Sequence, residues 1–293
     1  MKISRLIKFS RPIPWVPFFI GAYLVGIGNL KNLSVLTFLE LVSLIPLTLF
    51  INGLNDIYDK ESDKINPRKG GAQGSVISDD EIPIVFRFAV VSAIPFLIIA
   101  ATLSFVNSNF THLLLSLLFL FLTFAYSHKF FRFRDVPFLD TFLGGAFLCL
   151  MPLLLALSLR SPTMNLFFDF WWYALPFMSF HAIAALEDIC PDKKAGLNSI
   201  ALFLGEKLTK LFAIILLFIA FLFAILHQDF FLISVIDVNF LNFLSLILLK
   251  EKNLSQMVLA VFVSSWLMVL VFYFLKANST MVSYISELLS ALL

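Results

Sequence analysis

Charge is what this chain of 293 residues has least of: Asp, Glu, Lys and Arg make up 14% of it, against 60% hydrophobic residues. A water-soluble domain of this length needs far more polar surface to stay dispersed, so a soluble globular fold is excluded. Cysteine is nearly absent as well. Cys149 and Cys190 share no metal-binding spacing and read as two unpaired thiols. A net charge of +2 carries no signature of a nucleic-acid partner. The first apolar run follows Lys2, Arg5, Lys8 and Arg11 and lacks a small-residue cleavage site behind it. It therefore reads as a retained span and not as a signal peptide.

What the chain does have is apolar runs of roughly 18–22 residues, enough to cross a bilayer core as helix. The runs predict an all-α, polytopic membrane bundle of about nine spans, near residues 12–30, 34–54, 84–106, 110–127, 137–158, 166–186, 209–227, 230–249 and 255–275. Asp237, Asn239 and Asn242 interrupt the eighth. No soluble domain fits between the spans and no fixed-period repeat is visible, so residues 1–293 read as a single membrane domain. With the amino terminus in the cytoplasm, all of the 21 Lys and Arg residues except Lys31, Arg160 and Lys276 fall on cytoplasmic segments. This is the positive-inside bias of an integral, multi-pass membrane protein.

Both conspicuous acidic clusters fall on that same side, after spans two and six. In the first, Asn55, Asp56, Asp59 and Asp63 recur at helical spacings that stack them on one face. Stacked carboxylates repel strongly near low-dielectric surroundings, and a cation must hold them. Magnesium suits, since it takes oxygen ligands from one or two carboxylates plus phosphate and water. A solvated loop of alternating charge, Asp59-Lys60-Glu61 and Asp63-Lys64, is the other reading of this segment. A calcium loop is excluded because its ligand spacing is missing. Pro67 ends the helix and Gly70-Gly71 opens a loop.

In the second cluster Asp188 and Asp192 are four residues apart, with Pro191 between them predicting a break or kink. The spacing is weak alone and gains its meaning from pairing: two acidic faces on one side of the membrane can hold two magnesium ions around one diphosphate. His181 lies about two turns earlier on a similar face, as a packed core histidine or as an acceptor-pocket, proton-handling group. Span four ends in Tyr126-Ser-His-Lys129 and continues to Arg132 and Arg134. Lys129 and Arg132 suit a diphosphate, and they equally suit a lipid headgroup boundary. Among the 36 Phe residues, those lining an interior would stabilise an allylic cation with their ring faces.

The motif Asn55-Asp56-x-x-Asp59-x-x-x-Asp63 paired with Asp188-x-x-x-Asp192 resembles the UbiA-type membrane prenyltransferases, over nearly the whole chain. The resemblance implies a helical bundle around a central cavity open sideways to lipid. It implies Mg2+ and a prenyl diphosphate donor held by Asn55, Asp56, Asp59, Asp63, Asp188 and Asp192, with Asp56, Asp59, Asp188 and Asp192 catalytic. Arg68, Lys129 and Arg132, with Tyr126 and Lys193, are then expected to neutralise the diphosphate. The stretches Asp56 to Gly71 and His181 to Gly205 are most similar to the lycopene elongase branch, which points to a carotenoid acceptor. Glu187 departs from that branch, where proline is expected. A quinone precursor or another membrane lipid is the alternative acceptor. The chemistry expected is ionisation of the diphosphate, then capture of the cation by the acceptor. A cation-coupled transporter is the reading from a different class; it calls for carboxylates near the midplane, and here they cluster at one edge. A CDP-alcohol phosphotransferase needs an Asp-Gly…Ala-Arg arrangement that this chain lacks.

Overall fold

Apolar runs leave the backbone no water to bond to, so each closes its hydrogen bonds as helix. The computed structural model describes residues 2–28, 32–66, 69, 75–160 and 171–227, and among these there is no strand. The described residues form ten α-helices: α1 (Ile3–Ser10), α2 (Pro12–Ile27), α3 (Val35–Tyr58), α4 (Lys60–Ile65), α5 (Ile82–Val106), α6 (Phe110–Ser127), α7 (Leu148–Arg160), α8 (Ala174–Leu186), α9 (Ile189–Ala195) and α10 (Ile200–Leu226). A π-helix, Thr141–Phe147, leads into α7.

Local chemistry sets these boundaries. Ser34 accepts from the Thr37 amide at 3.2 Å and Asn109 from the His112 amide at 3.4 Å, capping α3 and α6. Pro12 opens α2, where its missing N–H costs nothing. Asn66 is extended, as the residue before a proline must be, and α4 stops at Ile65.

Among the described residues four helices, α3, α5, α6 and α10, are long and apolar enough to cross a membrane. Their outward faces carry Val42, Ile45, Val91, Ile98, Phe121 and Phe218; Ile98 and Phe218 are each 60% exposed, which only lipid accommodates along whole helix faces. Inward, Phe19, Tyr23, Leu44, Leu47, Phe96, Phe119, Leu150 and Met151 form one core shared by α2, α3, α5, α6 and α7. A second cluster joins α8 to α10 through Leu175, Leu216, Leu217 and Ala220. Gly26 is where α2 meets α7: a Cβ there would lie 2.6 Å from both Ala156 Cβ and the Leu153 carbonyl oxygen. The eighth and ninth expected spans lie outside the described residues.

The amphipathic α1 packs on α3 at the end of the bundle that carries Asp56. Phe9 packs with Leu49, Ile77 and Val85. Arg5 donates to Glu81 at 2.8 and 3.0 Å and to the Val76 carbonyl at 2.8 Å. That guanidinium holds the Glu81 carboxyl down at about 2.

The opposite end is tied by a buried polar network absent from the sequence-based expectations. Glu40 is fully buried in α3. It accepts from the Tyr23 hydroxyl at 2.6 Å and lies 2.8 Å from His112 Nε2. His112 Nδ1 sits 2.9 Å from Ser158 Oγ, and Asn109 donates to the Ser158 carbonyl at 2.6 Å. Four helices, α2, α3, α6 and α7, are thereby joined across an apolar interior.

Candidate active site

The first acidic segment is two helices and not one. α3 runs on to Tyr58 and so carries Asn55 and Asp56, and Asp59 ends it and begins α4. Helical hydrogen bonds continue across the joint: the Asp59 amide bonds the Asn55 carbonyl and the Asp63 amide the Asp59 carbonyl, both at 2.9 Å. Asp56, Asp59 and Asp63 are buried and Asn55 is half-buried. The second segment breaks at Glu187 and Asp188, ahead of Pro191, which occupies the first turn of α9 where no amide is needed. Asp192 is buried beneath that turn.

The two segments meet. α4 packs on α9, and Asn66 Nδ2 donates to Asp188 Oδ1 at 2.8 Å across 122 residues of sequence. Lys69 bridges Asp56 at 2.8 Å and Asp63 at 2.6 Å. Arg11 pairs with Asp56 and Arg134 with Asp59. Arg134 also draws on Asp192. Burial pushes the Asp192 carboxyl up to about 6, against the pull of Arg134, with Asp188 and Asp140 adding to the push. Burial pushes Asp63 up to about 6 as well, with Lys69 pulling down and Asp56 pushing up.

None of the three cations Arg11, Lys69 and Arg134 is among the residues expected to bind the diphosphate. Arg11 reads as a flanking basic residue, yet its left-handed backbone (φ 47°) between α1 and α2 turns it onto Asp56. Lys69 stands beside the expected Arg68, which lies outside the described residues. Arg134 takes the inward place while Arg132 pairs with Asp135 and donates to the Tyr58 carbonyl at 3.4 Å. Lys129 and Lys193 are exposed and make no ion pair among the described residues. Tyr126 turns its hydroxyl onto Asp140 at 2.7 Å, and His181 Nε2 approaches that hydroxyl at 3.3 Å.

Among the described residues, no group of three or more His, Cys, Asp or Glu side chains forms a preassembled metal cage. The donor set still fits a cation that brings its own phosphate and water ligands. Asp56 Oδ2 and Asp59 Oδ1 are buried carboxylate oxygens without a hydrogen-bond partner, an arrangement that costs stability unless a ligand uses it.

Known proteins share this architecture. The C(50) beta-cyclic carotenoids biosynthesis protein LbtBC of Dietzia sp. is 31% identical over 220 residues; the match takes in 72% of this chain, which spans about half (49%) of that protein's length. The lycopene elongase/hydratase of Corynebacterium glutamicum is 30% identical over 212 residues, covering 70% of this chain and 71% of that protein. A UbiA homologue from Archaeoglobus fulgidus, solved bound to DMAPP and Mg2+, superposes with a TM-score of 0.66 at 20% identity, covering 91% of this chain and 99% of that one. That likeness speaks for the fold. The model of the UbiA prenyltransferase family matches residues 15–266, both acidic segments included. On that match the chain belongs to the UbiA prenyltransferase family, and its apolar helices make it an integral membrane protein.

Proposed function

We propose that the chain transfers a prenyl group from an allylic prenyl diphosphate to a lipophilic acceptor, and that the acceptor is a carotenoid such as lycopene. One observation carries the reading. Two acidic segments from distant parts of the chain are joined at one rim, Asn66 to Asp188, with Arg134 between Asp59 and Asp192 and open buried oxygens on Asp56 and Asp59. A diphosphate head sits at such a rim while its tail enters hydrocarbon. The acceptor class is supported by the relatives, which are named for carotenoid biosynthesis and lycopene elongation.

Asn55, Asp56, Asp59 and Asp63 on one segment, with Asp188 and Asp192 on the other, are the residues that would hold Mg2+. Bound there, Mg2+ supplies Lewis-acid neutralisation of the diphosphate oxygens. Arg11, Lys69 and Arg134 place positive charge where the leaving group gathers negative charge. Arg68, Lys129, Arg132 and Lys193 are proposed to serve the same end as the donor docks. The aromatic, water-poor interior next to the rim protects the allylic cation from hydrolysis. The rim is assigned to the cytoplasm on the distribution of basic residues.

The test uses membranes or nanodiscs holding the full chain with Mg2+, isotope-labelled dimethylallyl diphosphate and lycopene. A labelled carotenoid is expected, and a chelator should abolish it. Absence of any labelled lipophilic product from dimethylallyl, geranyl or geranylgeranyl diphosphate, offered beside lycopene and extracted lipids, would refute the assignment.

A further inference from the structure

Transfer to a carbon–carbon double bond ends with a proton to dispose of, and the proposed function assigns the rim's carboxylates to Mg2+ and its basic groups to diphosphate. His181 lies within α8, seven residues before Asp188 in the sequence. Its surroundings are built for it. Gly144 and Gly145 of the π-helix leave the room: a Cβ at Gly144 would lie 2.6 Å from His181 Nε2 and 2.7 Å from the Tyr126 hydroxyl, and one at Gly145 would lie 2.8 Å from His181 Cβ. π-helical turns inside helical runs are frequent at functional sites.

Proton bookkeeping fixes the tautomer. The single hydroxyl hydrogen of Tyr126 goes to Asp140, which is buried, at 2.7 Å. The contact between Tyr126 oxygen and His181 Nε2, at 3.3 Å, then has one consistent sense: Nε2–H donates to the phenol oxygen. In the neutral ring the lone pair is therefore on Nδ1. That nitrogen is buried and has no hydrogen-bond partner. The Asp140 carboxylate, 3.7 Å from Nε2, attracts positive charge arriving on the ring.

We propose that His181 Nδ1 is the base that completes prenyl transfer and that Asp140, through Tyr126, is the positioning residue that holds it ready. The inference rests on the prenyl-transfer reading with an alkene acceptor. The allylic C–O bond breaks and its electron pair leaves with diphosphate. The acceptor double bond forms the new C–C bond and leaves a carbocation on the acceptor carbon. A proton on the neighbouring carbon passes to Nδ1, and the C–H electron pair becomes the new double bond. The imidazolium later gives its proton to the departing diphosphate or to water at the rim.

The experiment scores transferred product against diphosphate released, with dimethylallyl diphosphate, lycopene and Mg2+, in the full chain in nanodiscs. His181→Gln keeps a polar side chain for Tyr126 but takes no proton. Its transfer should fall about a hundredfold or more with the donor KM unchanged, while diphosphate release falls less and prenyl alcohol appears. Imidazole should restore transfer in His181→Ala. Asp140→Asn should lower kcat about tenfold, with donor KM unchanged and no rescue by imidazole. Wild type that prenylates no alkene overturns the acceptor reading and this inference with it. Active wild type with an equal product-to-diphosphate ratio in His181→Gln overturns the base alone. Rescue of His181→Ala by an equally sized, non-basic additive would do the same.

Discussion

Asp56 is the most constrained residue of the rim: fully buried, held by Arg11 and Lys69 on one oxygen, and unpartnered on the other. Replacing it with Ala, or likewise Asp59 or Asp188, should abolish transfer while the protein still purifies as a folded, monodisperse species. Near-normal turnover in two of the three at saturating Mg2+ would remove these carboxylates from the site. Lys69→Ala takes one charge-assisted partner from a diphosphate and should weaken donor binding by about 1.5–3 kcal/mol, roughly ten- to a hundredfold; donor KM measures it. Acid dependence follows from Asp63 and Asp192, both pushed up to about 6 from 3.8. A raised carboxyl is protonated in the folded protein below about 6, and its burial in ionised form weighs against stability above that. Metal ligation needs the ionised form, so transfer should fall as pH drops through about 6, and more Mg2+ should move that limb to lower pH. Profiles at two Mg2+ concentrations decide it; superimposable acid limbs would rule this origin out.

At the scale of helices, the far-end network sets how firmly α2, α3, α6 and α7 are joined. Hydrogen bonds between membrane helices contribute about 1–2 kcal/mol each, so Glu40→Ala, which removes two, should cost about 2–4 kcal/mol. Glu40→Gln, which keeps the volume and one acceptor oxygen and offers an N–H donor to the other partner, should cost clearly less. Thermal unfolding in a single detergent compares them, and equal midpoints would show that the network is idle. Gly26→Leu forces α2 from α7 and should cost about 1–3 kcal/mol or more by overpacking. This is also the scale at which sequence reading loses its grip. Periodicity and length place the apolar helices and both acidic segments, because those signals are local. Glu40 and His112 lie 72 residues apart and Asp140 belongs to no motif, so nothing local pairs them. The one cue was an ionisable residue inside an apolar run, which by itself calls for a partner. Arg134 displaces Arg132 for a related reason: a left-handed Arg132 (φ 46°) and a short 3-10 turn reverse which side chain faces in.

For the whole molecule the decisive question is sidedness. The rim residues Glu61 and Lys194 are exposed at one end, Val35 and Asn107 at the other. Single cysteines at these positions, in a chain lacking Cys149 and Cys190, should separate cleanly. A membrane-impermeant thiol reagent should label the Val35 and Asn107 sites in intact cells and the Glu61 and Lys194 sites only after lysis. Labelling of Glu61 and Lys194 from opposite faces would part the two acidic segments across the bilayer, and no diphosphate could then span them.

The sharing of Lys69 between Asp56 and Asp63 has a further consequence. A dication arriving alone must compete with positive charge already tethered to the chain. One arriving with a diphosphate brings new anionic oxygens onto which Lys69, Arg11 and Arg134 can transfer. On the proposed function the rim would act as an ion exchanger, its tethered cations trading carboxylates for phosphates as Mg2+ binds with the donor. Calorimetric titration should accordingly find weak uptake of Mg2+ by itself, weak uptake of donor by itself, and strong mutual promotion when both are present.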